Sequence, residues 1–152
     1  MIYTKDRIAF ESKIYKNDII LETSLSRLKQ HTDNGFFIIS AFRGNLLNEE
    51  NLKRHNELQK DIREKKLGFF ELLGRWVENK GKEDEKLHEE ISLFVPYRGI
   101  FIDKDFFNFS VELMNKYDQD AIVYKEKNSP IYILDRDQNV IEEIGEFKPD
   151  KI

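Results

Sequence analysis

Residues 36–42 read FFIISAF, a nearly continuous apolar run of strand length. A strand that is apolar at successive positions is buried on both faces, so this run predicts the central strand of a sheet. The next pattern, from Asn48 to Leu67, has the spacing of an amphipathic helix, and Gly68 after it is a typical helix stop. The fold therefore starts from a buried strand followed by a helix.

Three more strands and a second helix follow before residue 125. The runs at residues 69–77, 90–95 and 121–124 predict strands, and a helix is expected from Asp103 or Asp105 to Tyr117. The resulting order, strand-helix-strand-strand-helix-strand, is that of the ferredoxin-like split βαβ unit, with both helices on one face of the sheet. We therefore expect an α+β fold with this unit as its core.

The two ends of the chain are expected to add to this core. Residues 17 or 18 to 31 predict an N-terminal helix that ends in a turn at residues 32–35, and residues 8–10 are compatible with a short edge strand. Residues 130–144 predict a C-terminal hairpin, and residues 146–152 a tail. Because no segment has the composition of a linker, we expect a single domain over residues 1–152 with its core at residues 35–124.

Composition excludes several classes of protein. The 29 acidic and 25 basic residues are interspersed, so neither the basic face of a nucleic-acid binder nor the acidic run of a DNA mimic is present. The absence of cysteine excludes thiolate chemistry and fits a reducing compartment. No apolar run reaches the length of about 18 residues that a membrane span needs. We expect a cytoplasmic protein, in the host cytoplasm if a phage encodes it, with no nucleic-acid or membrane partner.

Motifs for catalysis, metal binding or cofactor binding are absent from the sequence. The three histidines, His31, His55 and His88, occur in no metal-binding or paired spacing. The glycine-rich phosphate loops GxxxxGK[ST] and GxGxxG are missing too. We therefore expect no catalytic residue, no metal and no cofactor.

Two arginines and an asparagine lie just before or within the first predicted helix. Arg43 follows the central strand, a place where α/β folds bind anions, although a pair with Glu49 or Glu50 explains it equally well. Arg54 lies mid-helix, where a solvated face is the ordinary explanation. Asn56 is a poor helix former, which suggests a specific hydrogen bond.

A mixed polar and aromatic face is predicted on the sheet. Glu90 and Ser92 point the same way along their strand, opposite to Ile91 and its apolar neighbours, and Trp76 and Ser40 belong to the strands beside them. Such a face fits a ligand-binding platform, a seat for the N-terminal helix, or a homodimer interface. The alternative for Glu90 alone is a solvated pair with Lys82 or Lys86.

Several short motifs together resemble a small uncharacterised family of bacterial and phage proteins. They are FFIISAF, the Asn51 and Arg54–Leu58 stretch, Gly74 with Trp76, Glu90-Ile91-Ser92, and Gln119 to Val123. The family pattern has Thr-Ala-aromatic-Asn-Pro at the first motif, where this chain has Ser40 and Arg43-Gly44. The resemblance implies a folded unit and no particular reaction, and it implies that six side chains converge: Arg54, Asn56, Trp76, Glu90, Ser92 and Gln119.

These observations favour a small binding or interaction protein that is not an enzyme. We expect a phage or bacterial accessory factor that binds a protein partner or a small anionic metabolite. If the mixed sheet face is a homodimer interface, the protein also binds a second copy of itself. Mixed charges and aromatic residues suit protein recognition. The alternative is an enzyme or nucleotide-handling domain that uses Glu90, with Arg43 and Arg54 as anion-binding groups.

Overall fold

The computed structural model of the protein describes residues 9–12, 32–78, 81–99, 103–144 and 150–151. The predicted helix that ends at residue 31 lies outside these residues. The described elements are β1 (Ala9–Ser12), β2 (Gly35–Ile39), α1 (Asn48–Glu64), β3 (Phe70–Glu78), β4 (Lys86–Pro96), α2 (Asp103–Lys116), β5 (Ala121–Glu126), β6 (Ile131–Asp135), β7 (Val140–Ile144) and β8 (Asp150–Lys151).

The strands form one sheet in the order β7-β6-β5-β2-β4-β3-β1-β8. β2 is antiparallel to both β4 and β5, and β3 is antiparallel to β4. The four central strands therefore have the arrangement of the split βαβ unit, in which each helical connection leaves room for a third strand between the two strands it joins. The predicted α+β fold is confirmed, and the predicted C-terminal hairpin, β6 and β7, extends the sheet beside β5.

The apolar residues of β2 alternate between two cores, as a fully buried strand requires. Phe37 and Ile39 pack on the side of the helices, in a cluster that includes Leu58 of α1 and Phe106 of α2. Both helices therefore cover the same face. Phe36 and its alternate neighbours belong to a second cluster on the opposite face, with Ile38, Leu72, Phe94, Ala121, Val123, Ile131 and Ile133.

Several boundaries differ from those predicted. β2 ends at Ile39 rather than Phe42, because the backbone beyond it takes its hydrogen bonds from side chains. The strand predicted at residues 90–95 begins earlier, because the β3–β4 ladder extends to the pair Glu78 and Lys86. A ladder needs backbone groups rather than apolar side chains, so the apolar pattern did not indicate this extension. In the predicted tail, Asp150 and Lys151 pair with β1.

The elements also begin and end differently in detail. Residues 32–34 are helical, not a turn, and lead directly into Gly35. α1 ends at Glu64, and the left-handed residue that follows its cap is Lys66, with φ of 62°, rather than Gly68. Within the described part of the chain, neither α1 nor α2 combines the length and hydropathy of a membrane-spanning helix.

Candidate functional site

Glu90 lies on the sheet face away from the helices, as its alternation with Leu93 and Val95 predicts. Its residue exposure is only 6%, and Ser40 and Ser92 beside it are fully buried. Gly74 is its partner in β3, so no side chain of that strand stands directly across from it. Glu90 is thus a buried carboxyl group in a small polar patch, not a solvated partner of a loop lysine.

The Glu90 carboxyl has an environment that disfavours its charged form. Burial raises its pKa, while a hydrogen bond from Ser40 and the positive charge of Arg43 act in the opposite direction. The net direction is upward, so desolvation, the largest effect, outweighs all the effects that lower the pKa of Glu90. A carboxyl group held in this way responds strongly to any cation placed next to it.

The Ser40 hydroxyl connects Glu90 to the chain beyond β2. Its Oγ donates to the carbonyl oxygen of Ile91 at 2.9 Å and accepts from the backbone N–H of Phe42 at 3.0 Å. A hydroxyl carries one proton, so donation to Ile91 and donation to Glu90 are alternatives. The position of this proton therefore depends on the charge of Glu90.

Residues 41–43 form an irregular segment whose backbone is satisfied by side chains. Asn51 of α1 accepts from the N–H of Arg43 at 2.9 Å and donates to its carbonyl oxygen at 3.0 Å. Arg54 Nε donates to the Ala41 carbonyl at 2.8 Å, and Gln119 Nε2 donates to the Phe42 carbonyl at 3.0 Å. A buried segment that leaves the sheet needs such partners for its polar groups.

Arg54 and Gln119 meet at one atom although they lie on different elements. Both donate to the carbonyl oxygen of Tyr117, just past the end of α2, and the Gln119 bond is 3.1 Å long. The Arg54 guanidinium also lies 5.7 Å from the centre of the Tyr117 ring. The structure thus brings Ser40, Arg54 and Gln119 to the same segment of backbone.

The remaining candidate residues make other contacts, are exposed, or lie outside the described side chains. Arg43 donates to the Asp118 carbonyl and lies 3.8 Å from carboxylate oxygens of both Asp118 and Asp120, rather than beside Glu49 or Glu50. Asn56 is exposed on α1, and no hydrogen bond found among the described residues involves its side chain. Trp76 is opposite His88 in the β3–β4 ladder, and neither side chain is among those described.

A polar cluster under α1 was not predicted from the sequence. His55 Nε2 lies 3.0 Å from Glu71 Oε1 in β3, and Gln59 donates to the same oxygen at 2.6 Å. The hydrogen bond from His55 is the main reason why the pKa of Glu71 is lowered, against the opposing effect of burial. Glu71 could have indicated this cluster from the sequence, because it is a charged residue at a helix-facing position of a buried strand.

A cavity of about 300 Å³ lies at the other end of β2 and does not include Glu90. Tyr97, Phe106 and Tyr124 form its aromatic walls, with Gly35 and Gly99 between them. Tyr97 lies just past the end of β4 and seven residues from Glu90, so the two places are roughly 23 Å apart along that strand. The cavity and the Glu90 patch are therefore separate features of the sheet.

A family model, that of the S-adenosylmethionine lyase family, matches residues 37–151, which is more than half of the chain. No curated protein and no solved structure gives a significant match. The match covers most of the stretch that resembles a known family, but it names a family of enzymes. The expectation of a non-enzymatic interaction protein is therefore wrong, and the alternative of an enzyme fits better. On this evidence the chain belongs to the S-adenosylmethionine lyase family.

Proposed function

We propose that the protein cleaves a carbon–sulfur bond of S-adenosylmethionine, with the Glu90 carboxylate binding a positive group of the substrate. The observation that carries this proposal is a buried glutamate beside two buried serines in a chain of this family. Buried carboxyl groups with a shifted pKa are typical of sites that act on charged ligands.

The chemistry of the substrate explains the use of a carboxylate. S-Adenosylmethionine carries a positive sulfonium and an ammonium group, and cleavage sends the electrons of the broken bond to sulfur, which becomes a neutral thioether. The carbon that leaves sulfur either loses a neighbouring proton to form a double bond or is attacked by the substrate's own carboxylate, so no acceptor molecule and no water is consumed. A carboxylate beside either cation is favoured in a site with few waters, because charges interact strongly there.

The two arginines differ in what they offer a substrate carboxylate. Arg54 already donates to the Ala41 and Tyr117 carbonyls. The Arg43 side chain also donates to a carbonyl, that of Asp118, but it is 27% exposed and its acidic neighbours lie at 3.8 Å, so a substrate anion can compete for it. We therefore assign an anion-binding role to Arg43 and not to Arg54, and we keep Ser92 as a polar neighbour of Glu90.

The test is incubation of the purified full chain with S-adenosylmethionine alone, followed by mass spectrometry. Loss of substrate with formation of a thioether nucleoside is expected without any acceptor, and the product masses identify the bond that breaks. Glu90→Gln should lower kcat/KM by about 100-fold or more, since it removes a buried charge that binds a cation. Glu143→Gln, on the exposed surface of β7, is the matched control.

Two results would reject the proposal: no turnover by the wild-type protein, or full activity of Glu90→Gln. We further propose a cytoplasmic location, which suits a cysteine-free chain. A bacterial or phage origin and a homodimer remain predictions.

A further inference from the structure

We infer that Arg54 and Gln119 are positioning residues, which hold residues 41–43 so that the Ser40 hydroxyl stays against Glu90. The inference rests on the proposed role of Glu90. In this role Arg54 and Gln119 bind the protein backbone rather than a ligand.

Both side chains donate hydrogen bonds to two protein carbonyl groups each. Gln119 Nε2 has two N–H groups and two carbonyl partners, Phe42 and Tyr117. Arg54 uses Nε for Ala41 and Nη2 for Tyr117. A fork of this kind fixes two carbonyl oxygens relative to each other, which a single flexible donor cannot do.

Among the residues that the structure describes, the held segment has no ladder partner that could replace these bonds. β2 pairs with β4 and β5 only as far as Ile39, yet Ser40 and Ala41 are fully buried. With the ladder absent, Arg54 and Gln119 contribute the bonds to the carbonyls of Ala41 and Phe42. Loss of either leaves a buried carbonyl without its partner and allows the backbone to move.

Movement of this backbone reaches Glu90 through Ser40. The N–H of Phe42 donates to Ser40 Oγ at 3.0 Å, so the hydroxyl is oriented by the same residue whose carbonyl Gln119 holds. The Ser40 hydrogen bond in turn lowers the pKa of Glu90. Release of the segment should therefore weaken this bond and raise the pKa of Glu90 further.

The experiment measures the pKa of Glu90 by ¹³C NMR in the substrate-free protein and, separately, kcat and KM. Gln119→Met keeps the length of the side chain without its donors, and Arg54→Lys keeps the charge without the fork. Both should raise the pKa of Glu90 in the same direction as Ser40→Ala. Where the wild-type protein turns over substrate, both should lower kcat by about 10- to 100-fold, as small misplacements of catalytic groups do.

Ile131→Val is the control for a purely structural effect, since it loosens a buried cluster that contains none of residues 41–43. It should lower stability and leave the pKa of Glu90 unchanged. An unchanged pKa in a folded Arg54→Lys or Gln119→Met variant overturns the inference, even if S-adenosylmethionine is cleaved. If the wild-type protein cleaves nothing, the proposed function fails, while the pKa measurement still decides whether these residues position Ser40.

Discussion

At the scale of single residues, the ionised carboxylate of Glu90 lowers the stability of the fold. Its carboxyl is buried on the face away from the helices, and its ionised form is disfavoured there. Proteins often accept such a cost at a functional site and recover it elsewhere in the structure. Stability measurements at different pH values can reveal this cost.

We predict that Glu90→Gln is more stable than the wild-type protein at pH 7 and equal to it below about pH 4.5. The folded pKa is raised above its ordinary value of 4.5, so the unfavourable contribution appears as pH rises from that value through the folded pKa. Urea denaturation at a series of pH values checks this. A difference that is the same at every pH would contradict the prediction.

Glu71 should show the opposite dependence. Its pKa is lowered, first by the hydrogen bond from His55, so it stabilises the fold above pH 4.5 and loses this effect as pH falls through the folded pKa. Glu71→Gln should therefore cost about 1–2 kcal/mol at pH 7, because a charge-assisted hydrogen bond is lost. Thermal denaturation at pH 7 is the measurement. Gln138→Glu, in an exposed turn, should change little.

At the scale of elements, α1 contributes to stability through one face only. Leu58 and Ile62 have no exposed surface, whereas Leu52 on the same helix is 49% exposed. Leu58→Ala should therefore lower the free energy of unfolding by about 2–5 kcal/mol. Leu52→Ala should stay within about 0.5 kcal/mol of the wild type. Equal losses in the two variants would mean that the helix packs differently.

The first residue of β2 is a glycine whose backbone lies in the left-handed region of φ. Gly35 has φ of +104°, and a Cβ there would lie 2.9 Å from the carbonyl oxygen of Lys125. Gly35→Ala should cost about 1–3 kcal/mol from backbone strain alone, with the contact adding to this. Gly68→Ala, where nothing lies within 4 Å, is the control, and its melting temperature should match the wild type or exceed it.

The elements show what the sequence could and could not predict. Strands and helices follow from local periodicity, so FFIISAF indicated the central strand and the order of elements indicated the sheet. The end of β2 did not follow from this, because Asn51, Arg54 and Gln119 determine it from elsewhere in the chain. Sequence alone marks these residues as notable polar groups. It does not distinguish a donor aimed at a ligand from one aimed at a backbone carbonyl.

At the scale of the whole molecule, the sheet places its functional candidates far apart. The Glu90 patch lies where β2 ends, and the aromatic cavity lies where β2 begins. Both depend on the same strand, which pairs with β4 on one side and β5 on the other. Variants that disturb β2 should therefore affect both places, whereas variants in β7 should affect neither.

The position of β2 in the sheet also has a consequence for synthesis on the ribosome. β2 is complete at Ile39, but Gly35 at its start pairs with Glu126, at the far end of β5. Translation adds about 5–20 residues per second, so residues 36–42 remain without their last strand partner for on the order of 10 s. Nascent chains stalled before Glu126 has left the exit tunnel should therefore be cut by protease within residues 36–42 and bind chaperones. Chains stalled well beyond it should resist both.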